Sequence, residues 1–237
     1  MSISPRSSTE KYMPMDMSEA QKRLILMQVF QSTWPVGTYS HSYGLETMIS
    51  DGRVHDAQTM RDVLTAIIDS VYELFDGPAF CRSYQYGRRN DTDAVIEFDD
   101  RYTAMCLTRE KRKASAMTGK AFLRACRDAF DFFDIDIKEL NYTVAAGMFC
   151  GYIETDLKES LEFFLFNGIN SYLQVGIKSI PLGQSVAQLL IAGVHDDISS
   201  LSERLSVMDD WECTNYLPVW DIVSMQHEGL YSRLYMS

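Results

Sequence analysis

Along most of this chain apolar residues recur at spacings of three and four, the repeat of a helix that buries one face. The clearest stretch is 56–75, where Met60, Val63, Leu64, Ile67, Ile68, Val71, Leu74 and Phe75 keep that spacing. Asp56 has the chemistry of an N-cap for it, and Gly77-Pro78 is expected to stop it. A second stripe through Leu157, Leu161, Phe164, Leu165, Ile169, Tyr172 and Leu173 predicts a helix over 157–176. Weaker versions of the pattern predict helices over 20–31, 42–50, 79–88, 94–107, 109–130, 141–154, 182–194 and 198–208, with Pro181 placed as a helix-starting proline. β-Branched alternation of useful length is absent, and Asp51-Gly52 and Asp76-Gly77 follow helical patterns rather than joining strands. The expectation is an all-α protein, one domain of about ten helices over 19–237. Residues 1–18, with Ser, Pro and Met in no period, are expected to form a mobile tail.

Composition narrows the function classes. The 237 residues are 46% hydrophobic, ordinary for a globular chain, and 22 basic against 33 acidic side chains leave a net charge of −11. Such a balance argues against nucleic acid or an anionic membrane as partner, because phosphate binding needs a positive face. The longest apolar run, Tyr142 to Ile153, contains two glycines and falls short of the ~20 residues that span a bilayer. Five cysteines, Cys81, Cys106, Cys126, Cys150 and Cys213, are odd in number and lack a C-x-x-C pair. They read as reduced thiols, and with no secretory leader pattern the expected compartment is the cytoplasm.

A search for catalytic chemistry finds little. The histidines at 41, 55, 195 and 227 show no ligand spacing, and no Glu-x-x-His pair is present, so no intrinsic metal site is expected. Met13, Met15 and Met17 alternate, which soft metals can use but which chance also produces in a Met-rich chain. Residues 114–121 look like half a P-loop, but Ala114 stands where a glycine must curl around phosphate and Ala121 where a hydroxyl must hold magnesium. That segment reads as a helix containing Gly119-Lys120. The basic run 109–113 reads as a solvated helix start or as a site for an acidic partner. His41, Ser42 and Glu46 are the elements of a hydrolase triad, yet neighbours on a helix start point apart, and Ser42 is better placed as an N-cap. Gly147-x-x-x-Gly151 offers a face on which another helix can approach closely, or alternatively the wall of a channel.

Three stretches stand apart from the amphipathic helices: 33–46, dense in glycine, aromatic and hydroxyl residues; 181–188; and the aromatic, Arg-containing end from Asp221 to Ser237. Aromatic residues and Arg are the usual energetic centres of protein interfaces. In the first stretch Pro35, Val36, Gly37, Tyr39, His41, Ser42, Gly44, Leu45 and Glu46 match a P-[IV]-G-x-[YF]-x-H-S-x-G-L-E motif. Pro181, Leu182, Gly183, Gln184 and Gln188 match P-L-G-Q-x-x-x-Q, and His227, Glu228, Ser232, Arg233, Leu234 and Ser237 match H-E-x-x-x-S-R-L-F-x-S. Between them Arg112, Ala114, Ser115, Gly119 and Leu123 fit a fourth pattern. In these residues and their order the chain closely resembles the UreF family of urease accessory proteins. Mild departures are Tyr235 for the usual Phe, Met236 where Arg is common, and Val186-Ala187 before the second glutamine.

The resemblance implies an all-helical, dimeric, non-enzymatic maturation factor. It implies that the chain binds UreD (also called UreH) and recruits the nickel-carrying GTPase UreG to apo-urease, where a lysine is carbamylated and nickel is inserted. Nickel would then travel with the partner, and the chain would need no cofactor. The matched residues of the three motifs, notably Tyr39, His41, Gln184, His227 and Arg233, would form partner-binding surface, and helices of the second half, 157–176 or 181–194 among them, would contribute to the dimer. Arg233 can donate five hydrogen bonds and stack on an aromatic ring, and the first motif offers Tyr39, Tyr43 and backbone carbonyls, so the C-terminal tail is expected to pack beside 35–46 and to form with it the surface that recruits the GTPase. Two competing readings are a small helical hydrolase acting through His41, Ser42 and Glu46, and a generic helical scaffold unrelated to urease.

Overall fold

A computed structural model describes residues 17–37, 42–214, 218–227 and 235. All regular structure among them is helical: α1 Glu19–Val29, α2 Leu45–Ser50, α3 Ala57–Ile67, α4 Gly77–Arg88, α5 Thr92–Met105, α6 Arg109–Ala129, α7 Tyr142–Tyr152, α8 Leu157–Ser179, α9 Gln184–Ala192, α10 His195–Ser206 and α11 Pro218–Gln226. Side-chain caps from Ser18, Asp56, Asp91, Thr108 and Asp156 begin α1, α3, α5, α6 and α8. Asp56 accepts the Thr59 N–H at 2.8 Å while the Thr59 hydroxyl accepts the Asp56 N–H at 3.1 Å, a reciprocal box at the head of α3. Ser18, at the end of the expected tail, caps α1 in the same way, and Met17 already packs against the core.

The centre is α7, whose residues 143–151 are all buried. A helix apolar on every side must be surrounded, and α7 is enclosed by α4, α6 and α8. Its closest neighbour is α4, and glycines make that approach possible. A Cβ on Gly147 would strike the Phe80 carbonyl, one on Gly151 the Tyr84 carbonyl, and one on Gly87 of α4 the backbone of Met148. The 147–151 face is thus a helix-packing face. The long α8 crosses next to α7 and carries α2, α3, α9 and α10 around it.

Four expectations are corrected. The helix over 56–75 does not stop at Gly77-Pro78: α3 continues through a π-helical segment, Ile68–Asp76, directly into α4. The Gly77 N–H bonds to the Tyr72 carbonyl five residues back, and Pro78, which has no N–H to offer, sits in the first turn of the resumed α-helix. α2 starts at Leu45 with Gly44 as its N-cap, so Ser42 is not the N-cap and Glu46 stands at the second helical position. Pro181 does not start α9, which begins at Gln184 after Gly183. The chain end also holds a helix, α11, that the periodicity did not predict. Its apolar residues fall on both faces, with Val223 buried and Val219, Ile222 and Met225 exposed, so no one-sided stripe marks it.

Candidate partner-binding site

The first glycine-rich stretch divides into two. Trp34 stacks on Phe130 at the end of α6, with ring centroids 6.0 Å apart, and Val36 is buried beside it. Between them Pro35 faces out over a groove whose other wall is Met117, Lys120 and Arg124 of α6. Gly37 is exposed with φ 74°. Tyr39 and His41 lie outside the described residues.

After that gap the chain is driven inward. Ser42 is fully buried, Tyr43 takes φ 49°, and its ring leans on Tyr172 of α8 at 5.9 Å. Burial pushes the Tyr43 phenol well above its ordinary range. Gly44 has φ 88°, a left-handed conformation, and a Cβ there would lie 2.5 Å from the Val223 side chain of α11. Both facts require glycine, and together they seat α2 directly on α11. The Thr47 hydroxyl then donates to the Val223 carbonyl at 3.0 Å.

The decisive contact is polar. Glu46, 7% exposed, meets the Nε2 of His227, 1% exposed, at 2.8 Å, and the same oxygen accepts the backbone N–H of Tyr235 at 3.3 Å. A carboxylate can only accept, so with Glu46 ionised the imidazole presents a proton on Nε2. The two residues stand 181 positions apart, and a buried carboxylate without such donors would cost several kcal/mol by general estimates. Tyr235 continues the link: it is buried, and the Lys178 ammonium near the end of α8 lies 6.0 Å from its ring centroid.

Of the residues singled out in the sequence, Ser42, Gly44, Leu45, Glu46 and His227 therefore meet in one buried junction. Pro181, Gly183, Gln184 and Gln188 lie on the surface where α8 gives way to α9. Pro35 and Gly37 are exposed on the α6 side. Glu228, Arg233, Leu234 and Ser237 lie outside the described residues. Sequence reasoning missed Thr47 and Val223, which lock the junction, and the exposed stripe of Val219, Ile222 and Met225, each about half accessible. The available signals were Pro218 and Asp221, a proline and an acid placed for the first turn of a helix.

Residues 114–121 lie inside α6, where Gly119 lets α6 touch the backbone of Leu140 at the start of α7. Among the described residues no group of three His, Cys, Asp or Glu side chains could hold a metal, and no helix is long and apolar enough to cross a membrane.

The UreF family model matches residues 54–195, more than half of the chain. The chain belongs to the UreF family. Full-length similarity extends the match to both ends. A urease accessory protein UreF of Arthrobacter sp. (strain FB24) is 30% identical over 228 residues, 91% of this chain and 97% of that protein. One from Rhodopseudomonas palustris (strain BisB5) is 27% identical over 245 residues, covering the whole of both chains. A third, from Geobacillus kaustophilus (strain HTA426), is 26% identical over 222 residues, 92% of this chain and 99% of its own. The UreF match from 54 to 195 leaves out both halves of the Glu46–His227 junction, which the full-length relatives span.

Proposed function

We propose that this chain is a non-catalytic urease maturation factor. In this reading it pairs with UreD (UreH), recruits the nickel-carrying GTPase UreG, and brings it to apo-urease for lysine carbamylation and nickel insertion. Nickel is cargo on the partner, the chain works as a homodimer in the cytoplasm, and neither nucleic acid nor membrane takes part.

The observation that carries the reading is the junction itself. It joins the first and last motifs, the most specific pair in the sequence, through Glu46, His227 and the Tyr235 N–H. A buried junction that holds two distant segments side by side suits the display of a partner surface around it better than chemistry on a small substrate. Beside it α11 exposes Val219, Ile222 and Met225, apolar residues of the kind that interfaces cover. The hydrolase alternative gains no support, since the Ser42 hydroxyl is fully buried and Glu46 is engaged by His227.

The test is urease activity in nickel-supplied cells with and without the gene, together with capture of the GTPase by the purified chain bound to its UreD partner. Loss of both activities on deletion, and of capture with Tyr39→Ala or Arg233→Ala in a folded dimer, is the expected result. The double variant should lose no more than either single one, because residues of one unit are not additive. Normal GTPase capture by both single variants would refute a shared surface.

A further inference from the structure

Below the α2–α11 junction a cavity of about 80 Å³ opens between the π-helical segment, α6, α7, α8 and α11. Its walls bring together charged groups that are complementary and yet unpaired. Asp221 of α11 is 6% exposed, lines the cavity, and leaves its Oδ2 without a hydrogen-bond partner among the described residues. Lys111, in the first turn of α6, lines the same cavity; its ammonium rests 4.4 Å from the Phe75 ring centroid and bonds to no acceptor among the described residues. The two form no ion pair with each other; the Lys111 charge only partly offsets the burial that raises the Asp221 carboxyl above its ordinary value. An orphaned buried carboxylate oxygen costs about 1–3 kcal/mol or more, so a native site of this kind is expected to receive a donor from something else.

The remaining wall is built to the same end. Asp76 accepts from the Tyr102 hydroxyl at 2.6 Å and, with Tyr72, is delivered to the cavity by the π-helical segment. Wide turns of this kind are rare and recur at functional sites. The charge pattern selects the ligand. A bare anion would face Asp76 and Asp221, and a bare cation would face Lys111. A molecule with a donor end for the carboxylates and an acceptor end for the ammonium satisfies both. At about 30 Å³ per water the space equals two or three waters, or one molecule of about four or five non-hydrogen atoms.

We propose that this cavity binds one small polar molecule carrying N–H donors at one end and a carbonyl or carboxylate oxygen at the other. Small amides and the smallest α-amino acids share that chemistry. The site is separate from the recruitment surface and is tested on the isolated chain, so its failure would leave the urease reading untouched.

The reporter is the Trp220 indole, which lines the cavity and donates to the Ser70 hydroxyl at 3.1 Å. In protein carrying ¹⁵N-labelled tryptophan, acetamide and glycine are titrated as the two sources, with acetate and methylammonium as probes that supply one end each. The expected result is a saturable shift of the Trp220 signal with acetamide or glycine, and binding of the one-ended probes at least about tenfold weaker. Asp221→Asn and Lys111→Met should each weaken binding by about the same factor. Saturation by acetamide alone assigns a neutral amide, and by glycine alone a zwitterion. No saturable shift below about 10 mM with either, equal binding of the one-ended probes, or unchanged binding in both folded variants would overturn the proposal and leave the cavity to water. Should a variant lose its helical circular dichroism, the one-ended probes on the unsubstituted chain decide alone.

Discussion

The α4–α7 contact and the α2–α11 contact both rest on glycine, and they are built on opposite principles. At α4–α7 three glycines remove side chains so that two helix backbones touch along nearly their whole length, and the contact is apolar and continuous. At α2–α11 a single glycine in a left-handed conformation admits one short helix to another, and the hold comes from Glu46, His227 and Thr47. The first kind of contact stabilises by burying area and tolerates no added atom. The second joins two short elements and depends on a few polar bonds between them.

Changing the first contact should have the largest effect. Gly151→Val pushes a branched side chain into the Tyr84 carbonyl and should cost about 3 kcal/mol or more, seen as a lower urea midpoint or as failure to fold.

Alkaline pH probes the same region. Burial pushes the Cys150 thiol of α7 up to about 12, and it raises Cys81 of α4 and Cys126 of α6 as well. These thiols ionise in the unfolded chain near pH 8.5 but stay protonated in the folded one. Their contribution is therefore fully present below about pH 8.5 and is lost as pH rises, by up to about 1.4 kcal/mol per thiol per unit. Denaturation midpoints should fall steadily from pH 8.5 to 11, and maleimide should label these three thiols only after unfolding.

Glu46→Gln tests the second contact. It keeps the shape of the side chain but removes the charge that holds His227 and the Tyr235 N–H, and should cost about 1.5–3 kcal/mol. Helical content should stay near that of the unsubstituted chain, whereas protease should cut after residue 227 far faster. Global unfolding in this variant would show that the junction and the core are one cooperative unit.

The smallest effect on stability should come from Ile222→Asp on the exposed face of α11, within about 0.5 kcal/mol, with GTPase capture or UreD binding reduced strongly. Unchanged partner binding would remove that stripe from the recruitment surface.

The sequence by itself determined the fold class and most helices, because helical burial writes a local period of 3.6 into the chain. The stripes over 56–75 and 157–176 appear in the structure as α3 with its π-helical continuation and as α8. It also marked the residues of the end motifs, Glu46 and His227 among them, through resemblance to a family. It also placed the tail beside residues 35–46, on the bonding capacity of Arg233, Tyr39 and Tyr43; what it did not carry was the bond between Glu46 and His227 that joins them. A hydrogen bond between residues 181 positions apart leaves no period, and Glu46 read from its neighbours is a helix-start acid. Only the tertiary structure turned it into the acceptor that holds the chain end. The same limit explains α11, apolar on both faces because one meets α2 and the other is open. It explains the passage through Gly77-Pro78 too. Local rules end a helix there, but the π-helical segment carries the chain past Pro78, and the Leu74 carbonyl four residues before it, which the proline cannot serve, accepts the Thr214 N–H at 2.7 Å instead.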